Sequence, residues 1–268
     1  MSAKLRDLAR DTLQILRGAG YRPPGGGSVD LAAGIRAAVG GTRLYLPGQA
    51  LAGHPSNGPP PEVSVTGEST LAASRRLARG GDVAALVFAS AKHPGGGFRT
   101  GAQAQEEGIA RASALYSCLT AVPQFYTLHR SRTDNLYTDS VIYSPHVPVF
   151  RDDDGRLLDG PYQVSFLTAA APNRGALPAS RADKVAAALA VRARRVLAVA
   201  AAHHHRRLVL GAWGCGVFRN DPYTVAGAFS DALAQSTGCF DEVVFAVLDH
   251  AQGAPVRTAF TARFPPAE

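Results

Sequence analysis

Apolar residues recur along this chain at two spacings, and the change from one to the other marks out its elements. At residues 5–17, Leu5, Leu8, Ala9, Thr12, Leu13 and Leu16 return every three or four positions, which predicts an amphipathic helix closed by Gly18 and Gly20. A glycine triplet at 25–27 follows two prolines and reads as a loop. Ser28 and Asp30 suit the cap of a short helix running to Val39, and Leu44-Tyr45-Leu46 suits a short strand. Residues 55–61 hold four of the chain's prolines and one glycine, which predicts a surface loop.

Beyond that loop the pattern becomes strand, helix, strand. Residues 62–66 alternate as a strand and 69–79 as a helix. Residues 83–89 are almost wholly apolar, as a strand covered on both faces requires. A helix is expected over 102–121, with Ile109, Ala112, Leu115, Tyr116 and Leu119 on one stripe. Further strands are predicted at 141–143, interrupted by Pro145 and Pro148, and at 162–168, 208–210 and 243–248. Helices are predicted over 181–203 and 222–235, the second capped by Asp221 and begun by Pro222. The alternation implies an α/β domain with a parallel or mixed sheet. No repeat or linker divides it, so residues 1–268 form a single unit, with 1–61 as an N-terminal helical flank and 62–250 as the core.

Composition narrows the setting. The chain is 46% hydrophobic, enough for one large core, and no apolar run reaches the ~18–20 residues of a membrane span. The N-terminal residues lack a secretory pattern, and Cys118, Cys215 and Cys239 are odd in number and widely spaced. Neither a disulfide framework nor a zinc site is expected, and a cytoplasmic protein fits. The net charge of +7 is carried almost entirely by arginine, which suits bidentate phosphate contacts and an anionic partner. Aromatic and basic residues are not interleaved as a nucleic-acid surface would need, so no sequence-specific nucleic-acid partner is expected. Adjacent histidines on a helix diverge by about 100°, so His203, His204 and His205 are not read as a metal site.

Candidate chemistry gathers after the apolar run at 83–89. His93-Pro94-Gly95-Gly96-Gly97-Phe98 is bare backbone able to curl around an anion, or else a simple surface turn. Eight residues past Gly97 begins Gln105-Glu106-Glu107 with the adjacent carboxylates. A second glycine-rich loop, residues 211–218, leaves the strand at 208–210. In open α/β sheets ligands bind beyond the carboxyl ends of strands, so neighbouring strands would bring both loops to one cleft.

These stretches together resemble the bacterial-type poly(ADP-ribose) glycohydrolases, a branch of the macrodomain-like ADP-ribose binders. The motif is Gly95-Gly96-Gly97, seven residues, then Gln105-Glu106-Glu107. Phe88-Ala89-Ser90-Ala91-Lys92, residues 111–119 and residues 210–218 extend the likeness, which covers most of the chain. It implies a macrodomain-like mixed sheet flanked by helices. It also implies hydrolysis of the ribose–ribose bonds of poly(ADP-ribose), in an exo-acting form, to release ADP-ribose, with ADP-ribosylated proteins as carriers and no cofactor or metal.

By the same resemblance Glu107 is the general acid and then the base, Glu106 positions the ribose hydroxyls, and Gln105 contacts the ribose or base. Gly95, Gly96 and Gly97 hug the diphosphate and distal ribose. Gly214, Cys215, Gly216 and Val217 offer main-chain N–H groups from the other side, and Phe218 packs on a ribose or the adenine. Ser90 stands where relatives commonly carry Asn, and Glu68 is a weaker candidate for the adenine amino group. A carboxyl that donates a proton at neutral pH has to be held above its ordinary range, by burial or by nearby phosphate charge. A non-catalytic ADP-ribose-binding module and a hydrolase of mono-ADP-ribosyl conjugates remain alternatives.

Overall fold

The apolar run at 83–89 is a buried central strand, Ala84–Phe88, whose side chains alternate between two cores. Ala84 and Leu86 join one hydrophobic cluster, while Ala85 and Val87 join the other. That two-sided burial is why the run carries no polar residue. In the computed structural model, which describes residues 2–51 and 58–266, this strand is β5. Of the loop expected at 55–61, residues 55–57 lie outside the described residues.

The chain opens with α1 (Ala3–Gly18), the short strands β1 (Gly20–Tyr21) and β2 (Val29–Asp30), α2 (Ala32–Gly41) and β3 (Arg43–Tyr45). Then come β4 (Glu62–Thr66), α3 (Thr70–Ala78), β5, α4 (Gln105–Ala112), α5 (Leu115–Thr120) and α6 (Pro123–Arg130). A long hairpin of β6 (Val141–Arg151) and β7 (Leu157–Ala169) precedes α7 (Lys184–Ala202), β8 (Arg207–Leu210), α8 (Pro222–Ala234), β9 (Glu242–Ala246) and α9 (Pro255–Arg263). Seven strands form one mixed sheet in the order β3-β6-β7-β5-β8-β9-β4. The run from β7 to β4 is parallel, and β6 and β3 pair antiparallel at one side. The expected α/β class with a mixed, helix-flanked sheet is therefore present.

Two expectations need revision. The helix foreseen over 102–121 is broken at Ser113, whose backbone is extended (φ −144°, ψ 174°) and bridges to Val149 of β6. Its hydroxyl donates to Ile109 O at 2.7 Å, offering the chain a local alternative to the helix ladder. The prolines do not interrupt β6, because the register shifts between Ser144 and Val147 and Pro145 falls in that bulge. The flank at 1–61 is tied into the core. β3 pairs with β6 in the main sheet, and the hydroxyl of Thr12 on α1 donates to Arg111 O on α4 at 2.6 Å. At the other end the core passes residue 250: Phe260 of α9 is fully buried, and Phe264 stacks on Phe245 at 4.4 Å between ring centroids.

Candidate active site

β5 ends at Phe88, and the backbone must then turn sharply before α4 begins. Gly95 and Gly96 do this in the left-handed region, at φ +69° and +57°, where residues with a Cβ are strained. A Cβ on Gly96 would lie 2.3 Å from Glu107 Oε1 and 3.1 Å from Glu106 Oε2. The loop is thus laid directly on the two carboxylates, which occupy the first turn of α4 where the helix dipole favours negative charge.

The N–H groups of this loop point inward. Gly97 N–H donates to Glu107 Oε1 at 2.9 Å, Ser90 N–H to Glu106 Oε2 at 2.6 Å, and Gly96 N–H to His93 O at 3.0 Å. Within the triplet expected to cradle a diphosphate, Gly97 N–H is thus taken by Glu107 and Gly96 N–H by the loop's own turn, while Ser90 N–H holds Glu106. Gln105 is held as well. Its Nε2 donates to Leu86 O (2.7 Å) and to Thr70 Oγ1 (3.1 Å), while its Oε1 accepts from Phe88 N–H (2.9 Å). One amide proton ties α4 to β5 and the other ties it to Thr70 of α3, so Gln105 anchors the start of the helix at the cavity wall.

The carboxylates face different surroundings. Glu106 is only 2% exposed, and burial pushes its carboxyl well above the usual range. Ser90 N–H opposes that rise, the neighbouring Glu107 adds to it, and Gly95 opposes it in turn. Glu106 Oε1 has no hydrogen-bond partner among the described residues. Glu107 is half-buried at the cavity wall. One turn further on, Arg111 is buried with Nη1 on Ala102 O at 2.8 Å. Burial lowers its pKa, and the charge of Glu107 opposes the fall.

The opposite wall grows out of β8, the parallel neighbour of β5. Buried Trp213 anchors it through Nε1 to Ala169 O at 3.0 Å. Gly214 (φ +74°) brings the backbone so close to Asn220 and Ala171 that a Cβ would stand 2.4 and 2.6 Å from them. In this loop the N–H groups of Gly214, Gly216, Val217 and Phe218 have no partner among the described residues. Cys215 is the exception, since its N–H donates to Ala212 O at 3.1 Å. Its thiol is pushed up to about 12 by burial, with Asp221 adding to the shift, so it is no thiolate nucleophile. Val217 is 82% exposed at the tip, and Phe218 is half-buried with its ring 6.1 Å from that of Tyr137. Ser90, Gly96, Gly97 and the Glu pair on one wall, and residues 214–218 on the other, line one cavity of about 1120 Å³.

The geometry has a family counterpart. Residues 9–152, more than half of the chain, match the family described as microbial-type PARG, catalytic domain. The chain belongs to this family. Among solved structures, poly(ADP-ribose) glycohydrolase (PARG) from Thermomonospora curvata is 50% identical, with a TM-score of 0.93 over 98% of this chain and 100% of that one. The Thermomonospora protein bound to the inhibitor ADP-HPD is 49% identical, with a TM-score of 0.90 over 98% and 100% of the two chains. PARG from Deinococcus radiodurans in complex with ADP-ribose is 45% identical, with a TM-score of 0.82 over 91% and 99%. A comparison with curated proteins finds no match.

Several remaining residues of this PARG-family chain can now be placed. Ser90 meets the carboxylate with its backbone, while its hydroxyl accepts from Lys92 and His93 N–H at 3.4 and 3.2 Å. Glu68 is turned away from the adenine role by a two-point pair with Arg76 (3.1 and 2.7 Å). The histidine run is structural. His203 stacks on Tyr143 with 3.5 Å between ring centroids, and His205 Nε2 lies 2.9 Å from the Tyr143 hydroxyl. No helix among the described residues is long and apolar enough to cross a membrane.

The cavity also has walls that sequence reading missed. Thr70 stands just beyond β4, and Leu248 and Asp249 just beyond β9; the rule that ligands meet strand carboxyl ends could have found them. Lys4, Leu8 and the turn at 152–155 also line it, brought there by the packing of α1, which no local signal announces.

Proposed function

We propose that the chain is a poly(ADP-ribose) glycohydrolase that cleaves ribose–ribose O-glycosidic bonds from chain ends and releases ADP-ribose. The observation that carries this is the pairing of a clamped double carboxylate with a facing loop of unpartnered N–H groups across one cavity. The loop at 214–218 receives the diphosphate through the N–H groups of Gly214, Gly216 and Val217. Phe218 lies against the distal ribose, which sets the anomeric carbon over Glu107.

Glu107 gives its proton to the leaving ribose oxygen as the glycosidic bond breaks, and the electron pair of that bond stays on the oxygen. Water then bonds to the ribosyl carbon and passes a proton to the Glu107 carboxylate, which restores the acid. Glu106, on the same cavity wall, uses its carboxyl to bind a ribose hydroxyl. Glu107 carries both proton movements, and Glu106 holds the ribose. The supporting likeness is to relatives described with ADP-ribose and with ADP-HPD. The carriers are ADP-ribosylated proteins, and the setting proposed is the cytoplasm.

The test is incubation with purified poly(ADP-ribose), following free ADP-ribose for the wild type and for Glu107→Gln. Release by the wild type, loss in the variant and retained ADP-ribose binding are expected. ADP-ribose binding without release by the wild type would make the chain a reader of the polymer, and equal activity in Glu107→Gln would remove that residue from the acid/base role.

A further inference from the structure

The proposed reaction leaves one object unplaced. When a terminal unit is cut at Glu107, the departing chain carries a diphosphate in each unit and has to lie outside the cavity, beside the mouth nearest that carboxylate. We propose that Lys92, Arg174 and Arg219 form a cationic rim that binds the phosphates of this continuing polymer. The inference rests on the glycohydrolase reading and deepens it.

The rim is continuous in the structure. Arg130 Nη1 donates to Lys92 O at 2.8 Å, which ties α6 to the loop that holds the carboxylates. Beyond α6, Asn173 N–H donates to Asn135 O at 2.8 Å, and Asn135 Nδ2 to Ala176 O at 3.1 Å. Gly175 N–H then donates to Phe218 O at 2.9 Å. The chain of contacts therefore runs from the Lys92 backbone around to Phe218, and both His93 and Phe218 line the cavity. A phosphate strand leaving the site crosses this arc.

Its charge is unbalanced. The side chains of Lys92, Arg174 and Arg219 have no carboxylate partner among the described residues. Arg132, on the same arc, is by contrast neutralised by Asp134 at 2.7 Å. The part of the cavity walled by α1 and the 152–155 turn is of mixed sign, with Asp152, Asp153 and Asp154 beside Lys4 and Arg151, and Asp154 paired with Arg156 at 3.3 Å. A polyanion is therefore drawn to the Lys92–Arg219 side. Arg219 is also held in place. Its backbone is left-handed at φ +56°, a conformation that a non-glycine residue keeps only where its surroundings impose it. Its stem lies along Gly175, close enough that a Cβ there would meet Arg219 Cδ at 3.1 Å.

The experiment compares wild type, the reversal Lys92→Glu/Arg219→Glu, and the charge-keeping Lys92→Arg/Arg219→Lys on long poly(ADP-ribose). At low salt the reversal should raise KM about tenfold with kcat within about twofold, because the lost contacts are phosphate contacts outside the reacting unit. At about 0.5 M NaCl, where surface charges are screened, the difference should vanish. The charge-keeping variant should match wild type, and calorimetry should give both variants unchanged affinity for free ADP-ribose. Unchanged KM in the reversal at low salt overturns the rim. So does a parallel loss of ADP-ribose affinity, which would place these cations on the bound unit. Poly(A) of equal length competing as well as the polymer would make the surface a general polyanion site and also overturn the assignment. Failure of wild type to release ADP-ribose would instead break the glycohydrolase reading, so the two failures are distinguishable.

Discussion

The two glycine-rich loops of this protein look alike in sequence and do opposite things. The loop at 90–97 turns the N–H groups of Ser90 and Gly97 onto Glu106 and Glu107, so it serves the protein's own carboxylates. The loop at 214–218 leaves four N–H groups without partners among the described residues, at the other wall of the cavity. One is an internal clamp and the other an open receptor. Both need glycine, for different reasons: a Cβ on Gly96 would collide with the catalytic candidates, whereas a Cβ on Gly214 would collide with Asn220 and Ala171, which support the loop from behind. Glycine content alone therefore does not say which loop meets a ligand. The direction of the N–H groups does.

The largest effect that tests this division is Glu107→Gln. Removing the acid/base group should lower kcat by about a thousandfold, as expected for loss of general acid–base catalysis, while ADP-ribose affinity stays within about threefold of wild type. The measurement is kcat for ADP-ribose release beside a calorimetric titration. If affinity fell as far as kcat, the clamped carboxylate would belong to the binding wall, and the contrast between the loops would collapse.

Gly96→Ala addresses the clamp itself. The added methyl meets Glu107 Oε1 at 2.3 Å, at a backbone angle that alanine tolerates poorly. Strain of about 1–3 kcal/mol should appear as a lower Tm. Displacing the carboxylate by a fraction of an ångström to an ångström should cost about a hundredfold in kcat. ADP-ribose binding should change little, because the diphosphate is assigned to the opposite loop. Tight coupling of the Gly96 change to ADP-ribose affinity would favour the cradle first expected of this triplet.

That contrast shows where sequence reading stops. The strand at 84–88 was legible because burial on both faces leaves a uniformly apolar run, and α8 because Asp221 and Pro222 mark its start. The neighbourhood was legible, since Gly96, Gly97, the Glu pair and residues 214–218 line one cavity. The job of each residue was not. Whether a glycine N–H faces an anion or a carboxylate ten residues on depends on how the loop folds over α4, a tertiary fact. The contacts of Gln105 were hidden for the same reason: its partners, Leu86, Phe88 and Thr70, come from other elements. The break at Ser113 hid behind a hydrophobic stripe that carries on across α4 and α5 as though the helix were one.

The receptor loop is tested by Gly216→Ala. Among the described residues, its chain neighbours aside, no atom lies within 4 Å of the added methyl, and the backbone there is not left-handed. Stability should therefore hold or rise slightly, by up to about 1 kcal/mol, through a less flexible unfolded chain. ADP-ribose affinity should fall about tenfold, because a diphosphate resting on bare backbone is pushed away from the N–H donors, and tenfold corresponds to about 1.4 kcal/mol. The outcome is the mirror image of Gly96→Ala, which harms fold and catalysis and spares binding. Unchanged affinity in Gly216→Ala would mean that the phosphates lie elsewhere on the wall.

The smallest effect concerns the cost of the clamp. Burial raises the Glu106 carboxyl well above its ordinary range, so between the unfolded value near 4.3 and the folded one the native state binds more proton than the unfolded state. The stability linked to that proton is fully present below about pH 4 and is lost as pH rises through the folded value. Glu106→Gln is neutral at every pH and keeps an oxygen to accept from Ser90 N–H. The variant should match wild type in Tm near pH 4 and exceed it by a few degrees at pH 8. His129 and His205, each pushed to about 4 by burial, make both proteins less stable as pH falls below about 6.5, the ordinary histidine value, so their contribution cancels in the difference. A Tm difference that does not depend on pH would remove the buried proton from Glu106. A rising difference, accompanied by loss of activity in the variant, would show that the clamp holds a carboxyl the fold would be more stable without, as expected of a group that serves the substrate.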